Sequence, residues 1–255
     1  MRGFIAFFKK EMLALVRSGR LVFLGILFVL FGVMNPAIAK LTPRLFEVLA
    51  DSLAESGFIV TETDVTALQA WIQFFKNIPL ALIVVLVMFA GTFSNEYSKG
   101  SLIIPISKGI SKSTVSIAKL LTTELVWTVG YWLCYGITYA YSAYYWDNSI
   151  MHYLVESVAF TYVFGVFLIA VLMCFAAASD GIALPLLGLG AVYGISYLLG
   201  ILADCEKYVP TKLTASAPLY TGAAEPNEYL PALFVTLLLT IVFSFGMTFL
   251  GKRKI

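Results

Sequence analysis

The sequence predicts an all-α polytopic membrane protein, and three observations carry that prediction. The chain is 60% hydrophobic and 13% charged, where a soluble domain holds about 45–50% apolar and ~25% charged residues. Its mean hydropathy is +0.89, so 255 residues carry too little charge to clothe a globule and require lipid around them. The apolar residues also gather in runs close to the ~20 residues that a spanning helix needs. None of these runs alternates with period two, which excludes a β-barrel. Backbone groups in hydrocarbon must be satisfied within their own segment, so the runs are helices.

Six spans are read, at 21–39, 78–95, 120–145, 154–178, 182–203 and 230–250, inside a single transmembrane domain covering 1–255. The second is short and extends backwards through Trp71 to Phe75 if Lys76 snorkels. The first is too long for a cleavable signal, follows a charged segment, and holds Asn35-Pro36 rather than a cleavage site.

The basic residues set an orientation. Arg2, Lys9, Lys10, Arg17 and Arg20 precede the first span, Lys99, Lys108, Lys112 and Lys119 lie between spans two and three, and Lys252 to Lys254 follow the sixth. With six spans these segments share one side, joined there by Ser179-Asp180-Gly181, and the positive-inside rule makes it cytoplasmic. The loops at 40–77 and 204–229 then lie outside. The first of them carries Glu47, Asp51, Glu55, Glu62 and Asp64.

Residues 1–20 form an amphipathic helix on a helical wheel. Phe4, Phe8, Met12 and Leu15 make one stripe, with Ile5 and Val16 beside it and Lys9, Lys10, Arg17 and Arg20 opposite. This reads as an interfacial helix with its stripe in the acyl boundary, or as a plain basic anchor. Residues 96–119 are half apolar and punctuated by Gly100 and Pro105. Ser111 or Ser113 caps the helix that follows. The segment suits docking onto a soluble partner, or is an ordinary connector.

On these residues the chain resembles the type-2 ABC transporter permeases. Their second cytoplasmic segment reads roughly Glu, Gly-Thr-Leu, a short apolar run, Pro-Ile-Ser-Arg and a later Gly-Lys. Glu96, Gly100, Ser101 and Leu102 match the first part, Ile110, Ser111 and Lys112 the second, and Lys119 the last. Gly109 stands in place of Pro, Ala118 in place of Gly, and Lys112 in place of an Arg whose bidentate contact it cannot make. The likeness extends to Phe8-Lys9-Lys10-Glu11, to the six spans and to the long loop before the last one.

The resemblance implies the permease subunit of an ATP-driven exporter of a peptide, drug-like or lipid-like amphipathic substrate. It implies an elbow helix bearing Phe4, Phe8, Lys9, Lys10, Glu11 and Met12. It implies a coupling helix at 96–119, including Lys99, seated in a separate ATPase subunit. Two ATPase copies, ATP and Mg on that subunit, and a second permease chain, identical or homologous, would complete the assembly. The expected setting is a bacterial plasma membrane with both termini cytoplasmic. The last outer loop, with Pro210, Pro218, Pro226 and Pro231, would form a short re-entrant hairpin.

No catalytic residue, metal site, cofactor or nucleic-acid partner is expected on this chain. The string Gly246 to Gly251 followed by Lys252 fails as a phosphate loop, because Arg253 takes the Ser/Thr position. Trp127, Tyr131, Tyr135 and Tyr139 recur at i+4 along the third span, as a substrate path or as packing. Gly190 and Gly194 form a Gly-x-x-x-Gly that close helix packing explains. Glu124 is the one acid inside a span, either snorkelling or paired with Lys119 or a neighbouring helix. His152 and the three cysteines, Cys134, Cys174 and Cys205, show no ligand pattern. The other readings are a non-transporting ABC membrane partner in resistance or envelope remodelling, and an intramembrane lipid-modifying enzyme. The latter calls for clustered acids, histidines or a Ser/His pair that the sequence lacks.

Overall fold

A computed structural model describes residues 2–55, 65–202 and 204–254, without side chains for Arg2, residues 45–55 and residues 252–254. The protein is an all-α polytopic membrane protein, and no strand occurs among the described residues. In chain order the helices are α1 (Arg2–Arg17), α2 (Arg20–Glu55), α3 (Ala67–Phe89), α4 (Ser94–Lys99), α5 (Ile103–Ser107), α6 (Lys112–Tyr145), α7 (Leu154–Ala177), α8 (Ala183–Gly200), α9 (Ala217–Tyr220) and α10 (Leu230–Lys254).

Two boundaries differ most from the sequence reading. Helix α2 does not end near residue 39 but continues to Glu55, through Pro36 and Pro43. The outer loop expected at 40–77 is thus largely helical where it is described, while Glu62 and Asp64 lie outside the described residues. Helix α3 begins at Ala67, where the Gln69 side chain accepts from the Thr66 N–H at 2.8 Å. Trp71 to Phe75 are therefore part of it.

By length and composition five segments can cross a membrane: Arg20–Arg44, Ala67–Lys99, Leu154–Ala177, Ala183–Gly200 and Pro226–Gly251. Helix α6 is absent from that set because Thr, Ser, Tyr, Trp and Glu124 dilute its hydropathy. It is nevertheless 34 residues long, about 51 Å at the helical rise. It also runs antiparallel to α3 through the whole bundle. At one end the Lys119 ammonium lies 5.6 Å from the Phe93 ring, and at the other Tyr139 lies 6.4 Å from Trp71. Polarity on α6 is tolerable because α2, α3, α7 and α10 pack around it.

One joint shows how the bundle satisfies its backbone. Pro36 has no N–H, so the carbonyl of Gly32 loses its helical partner. Thr138 of α6 donates to that carbonyl at 3.2 Å. Asn35 is fully buried and donates to Thr138 Oγ1 at 3.0 Å, while Asn77 of α3 donates to Asn35 Oδ1 at 2.8 Å. The approach needs Gly32, since a Cβ there would sit 2.9 Å from Ile137 Cβ and 3.2 Å from the Cys134 carbonyl oxygen. Thr138→Val is expected to cost roughly 1–2 kcal/mol by orphaning that carbonyl and one Asn35 donor, read as a lowered unfolding midpoint in detergent. An unchanged midpoint would mean that the joint contributes nothing.

Helix α8 lies at the periphery. Gly188 packs close to the Phe175 ring, but nothing lies within 4 Å of a Cβ at Gly190 or Gly194. The Gly-x-x-x-Gly expected to make a close helix contact faces out of the chain instead. Between α8 and α10 the prolines cut the backbone into short pieces, Pro210–Thr214, Ala217–Tyr220 and Pro226–Tyr229. Tyr229 fastens them by donating to the Ala215 carbonyl at 2.7 Å and stacking on Phe160 at 5.6 Å.

Candidate functional site

The segment from α4 to the start of α6 forms a hook built from two left-handed glycine corners. Gly100 has φ +61° and Gly109 has φ +86°, a region that glycine enters without strain. At the first corner Ser101 N donates to the Glu96 carbonyl and Gly100 N to that of Tyr97, both at 3.2 Å. At the second, Ile110 N donates to Pro105 at 3.2 Å and Gly109 N to Ile106 at 2.9 Å. These paired bonds close a helix by satisfying its last carbonyls. Ser111 then caps α6, its Oγ accepting from Thr114 N at 3.2 Å.

Helix α1 is bound to this hook from within the protein. Phe7, Leu102, Val115 and Ala118 are buried together, with Phe4, Phe8, Ile106 and Ile110 packed around them. The stripe expected in the acyl boundary is thereby partly covered by protein. The stripe of Phe4, Phe8, Met12 and Leu15 turns toward α6, the hook and the bundle, with Leu15 in the main core and half-buried Met12 packed against it. Ile5 and Val16 remain outside, 63% and 51% exposed. A wheel locates an apolar stripe, but it does not distinguish lipid from protein as the cover. Phe7, which the wheel passed over, is the most buried residue of α1 at 2% exposure.

Four charges complete the joint. Lys119 lies 2.7 Å from Glu96 Oε2 and 3.2 Å from Glu11 Oε2, and is 2% exposed. Lys10 contacts Glu11 Oε1 at 2.8 Å and also reaches Glu96 Oε1. Glu96 and Lys119 were expected to face the ATPase and instead tie α1, α4 and α6 together. Burial works to lower the pKa of Lys10, but its hydrogen bonds to Glu11 and Glu96 outweigh that and lift it above the usual 10.5. A raised pKa keeps the lysine charged across neutral pH, and its stabilising share is lost only as pH climbs through the raised value.

With those residues turned inward, the outer face of the hook is apolar. Ile103 and Ile104 are 70% and 62% exposed, flanked by exposed Lys99, Ser101, Lys108 and Ser111. Leu102 is 3% exposed and belongs to the anchoring side. A crevice of about 410 Å³ runs beside Ile103 and Ile106, lined also by Glu96, Tyr97, Gly100, Leu102 and Ser107.

The aromatic stripe on α6 divides. Trp127 and Tyr131 are sealed at 1% and 0% exposure, donating to the Tyr162 carbonyl at 3.3 Å and the Val158 carbonyl at 2.6 Å. Tyr135 and Tyr139 reach the surface, joined there by Trp132. Glu124 does not pair with Lys119, whose charge is already met. Its Oε2 is sealed and accepts no hydrogen bond. Periodicity also missed the polar joint at Asn35, Asn77 and Thr138. A pair of asparagines in apolar runs was the available signal.

No family model matches the chain, and no solved structure matches it. It is similar to an uncharacterised transmembrane protein, YxlG, from Bacillus subtilis (strain 168). The two are 20% identical over 221 residues, covering 85% of this chain and 84% of the relative.

Proposed function

We propose that this chain is the membrane-spanning subunit of an ATP-driven exporter, working as a dimer on two copies of a separate ATPase subunit. The carrying observation is the hook, whose exposed Ile103 and Ile104 stand on a base locked to α1 and α6. An exposed apolar pair has a cost in water unless a partner covers it, and a rigid mount transmits a push rather than absorbing it. Glu96 and Lys119 serve in this reading as the rigid mount, and the docking contacts pass to Ile103, Ile104, Lys99, Ser101 and Lys108.

Counting α6 as a sixth crossing brings both termini and the hook to the same side. The positive-inside rule makes that side cytoplasmic, where ATP is available, in what we take to be a bacterial plasma membrane. The similarity to a Bacillus transmembrane protein supports the setting and is silent on the activity.

The test is Ile103→Asp with Ile104→Asp. Both side chains are exposed, so the variant should insert and unfold at the wild-type midpoint. The tagged wild-type chain should co-purify a nucleotide-binding chain identified by mass spectrometry, and a cysteine at position 104 should crosslink to it. The double variant should lose both and should lower transport at least tenfold. A wild-type yield of the nucleotide-binding chain with the double variant refutes the hook as the dock.

A further inference from the structure

At the end of the bundle remote from Lys119, the turn between α6 and α7 encloses an open concavity of about 860 Å³. Five aromatic rings line it, those of Tyr139, Tyr144, Tyr145, Trp146 and Tyr153. Tyr144 is 81% exposed. Asp147 and Glu156 add carboxylates to the lining, and none of the lining residues is a lysine or arginine. Asp147 accepts from Ser149 N at 2.8 Å and from Ser149 Oγ at 2.7 Å, bonds that hold its carboxyl below the usual range and so keep it charged at neutral pH.

The lining gives the sign of the ligand. The Lys40 ammonium sits 3.5 Å from the centroid of the Tyr145 ring, so a ring face at this rim already accepts a cation from the chain itself. Aromatic faces attract cations through their quadrupole, most strongly where water is thin. Ring faces beside Asp147 and Glu156 therefore favour positive charge over negative.

We propose that the concavity at the α6–α7 turn binds organic cations with an apolar body, the charged centre held between the ring faces and Asp147 and Glu156. The volume suits a molecule of drug size. The apolar lining of Met151, Leu154 and Val155 suits its hydrophobic part. The proposal names a substrate class within the exporter reading and rests on that reading for its role in transport, but the binding itself needs no ATPase.

The experiment uses the full chain in nanodiscs, with empty nanodiscs as the blank, and two probes of the same shape and opposite charge, tetraphenylphosphonium and tetraphenylborate. Equilibrium dialysis should show saturable binding of tetraphenylphosphonium above the blank and none of tetraphenylborate. Asp147→Asn with Glu156→Gln changes only exposed side chains and should weaken the phosphonium at least tenfold. Tyr144→Leu with Tyr153→Leu should do likewise. Binding of both probes alike, no saturable phosphonium binding, or wild-type affinity in the acid double variant overturns the proposal. Because the assay contains no ATPase, such a failure leaves the dock at Ile103 and Ile104 untouched, and a failure of that dock leaves probe binding untouched.

Discussion

Lys119→Ala is expected to destabilise the protein by about 3–5 kcal/mol, the range found when one partner of a buried ion pair is removed. The lysine is 2% exposed and lies between two carboxylates that are themselves mostly covered, Glu11 at 13% and Glu96 at 19%. Without it, Glu11 and Glu96 face one another with only half-exposed Lys10 to compensate. The thermal unfolding midpoint in mild detergent should fall accordingly. Adding Glu11→Gln and Glu96→Gln to the same chain should recover much of the loss, because the unpaired charge causes most of the damage rather than the missing lysine. A triple variant as unstable as Lys119→Ala alone would show that the cluster acts through packing instead. A single variant with the wild-type midpoint would show that α1 is held by Phe7 and its neighbours alone.

Trp127→Ala should be comparably severe, about 3–5 kcal/mol, as for large-to-small changes at buried aromatic positions. The indole is 1% exposed, meets the Phe28 ring edge-on at 6.1 Å, and lies against Gly165, where a Cβ would stand 2.4 Å from its Cε2. Such a residue holds α2, α6 and α7 together. Denaturant unfolding of the reconstituted protein would measure the loss. Tyr139→Leu, at a ring that is 44% exposed, should by contrast change stability by less than about 1 kcal/mol. If Trp127→Ala kept the wild-type midpoint yet stopped transport, the residue would belong to a substrate path after all.

What the sequence determined alone is whatever composition and local chemistry decide. Sixty per cent apolar residues committed the chain to lipid and to helices. The basic segments gave an expected orientation. Gly100 and Ser111 marked a corner and a cap that need only their own neighbours. Tertiary structure decided everything that depends on which face of a helix meets protein. In water an apolar stripe implies a core, but lipid tails are as apolar as leucine, so the stripe of α1, the rings of α6 and the glycines of α8 read alike whether lipid or protein covers them. Only packing sent Phe7 and Trp127 inward, left Gly190 open, and carried α2 past Pro36 with the help of Thr138. Charge followed the same logic. Glu96 and Lys119 were each read beside their sequence neighbours, while in space Lys119 meets Glu11, about a hundred residues away in the chain, at 3.2 Å, and Glu96 meets Lys119 and Lys10.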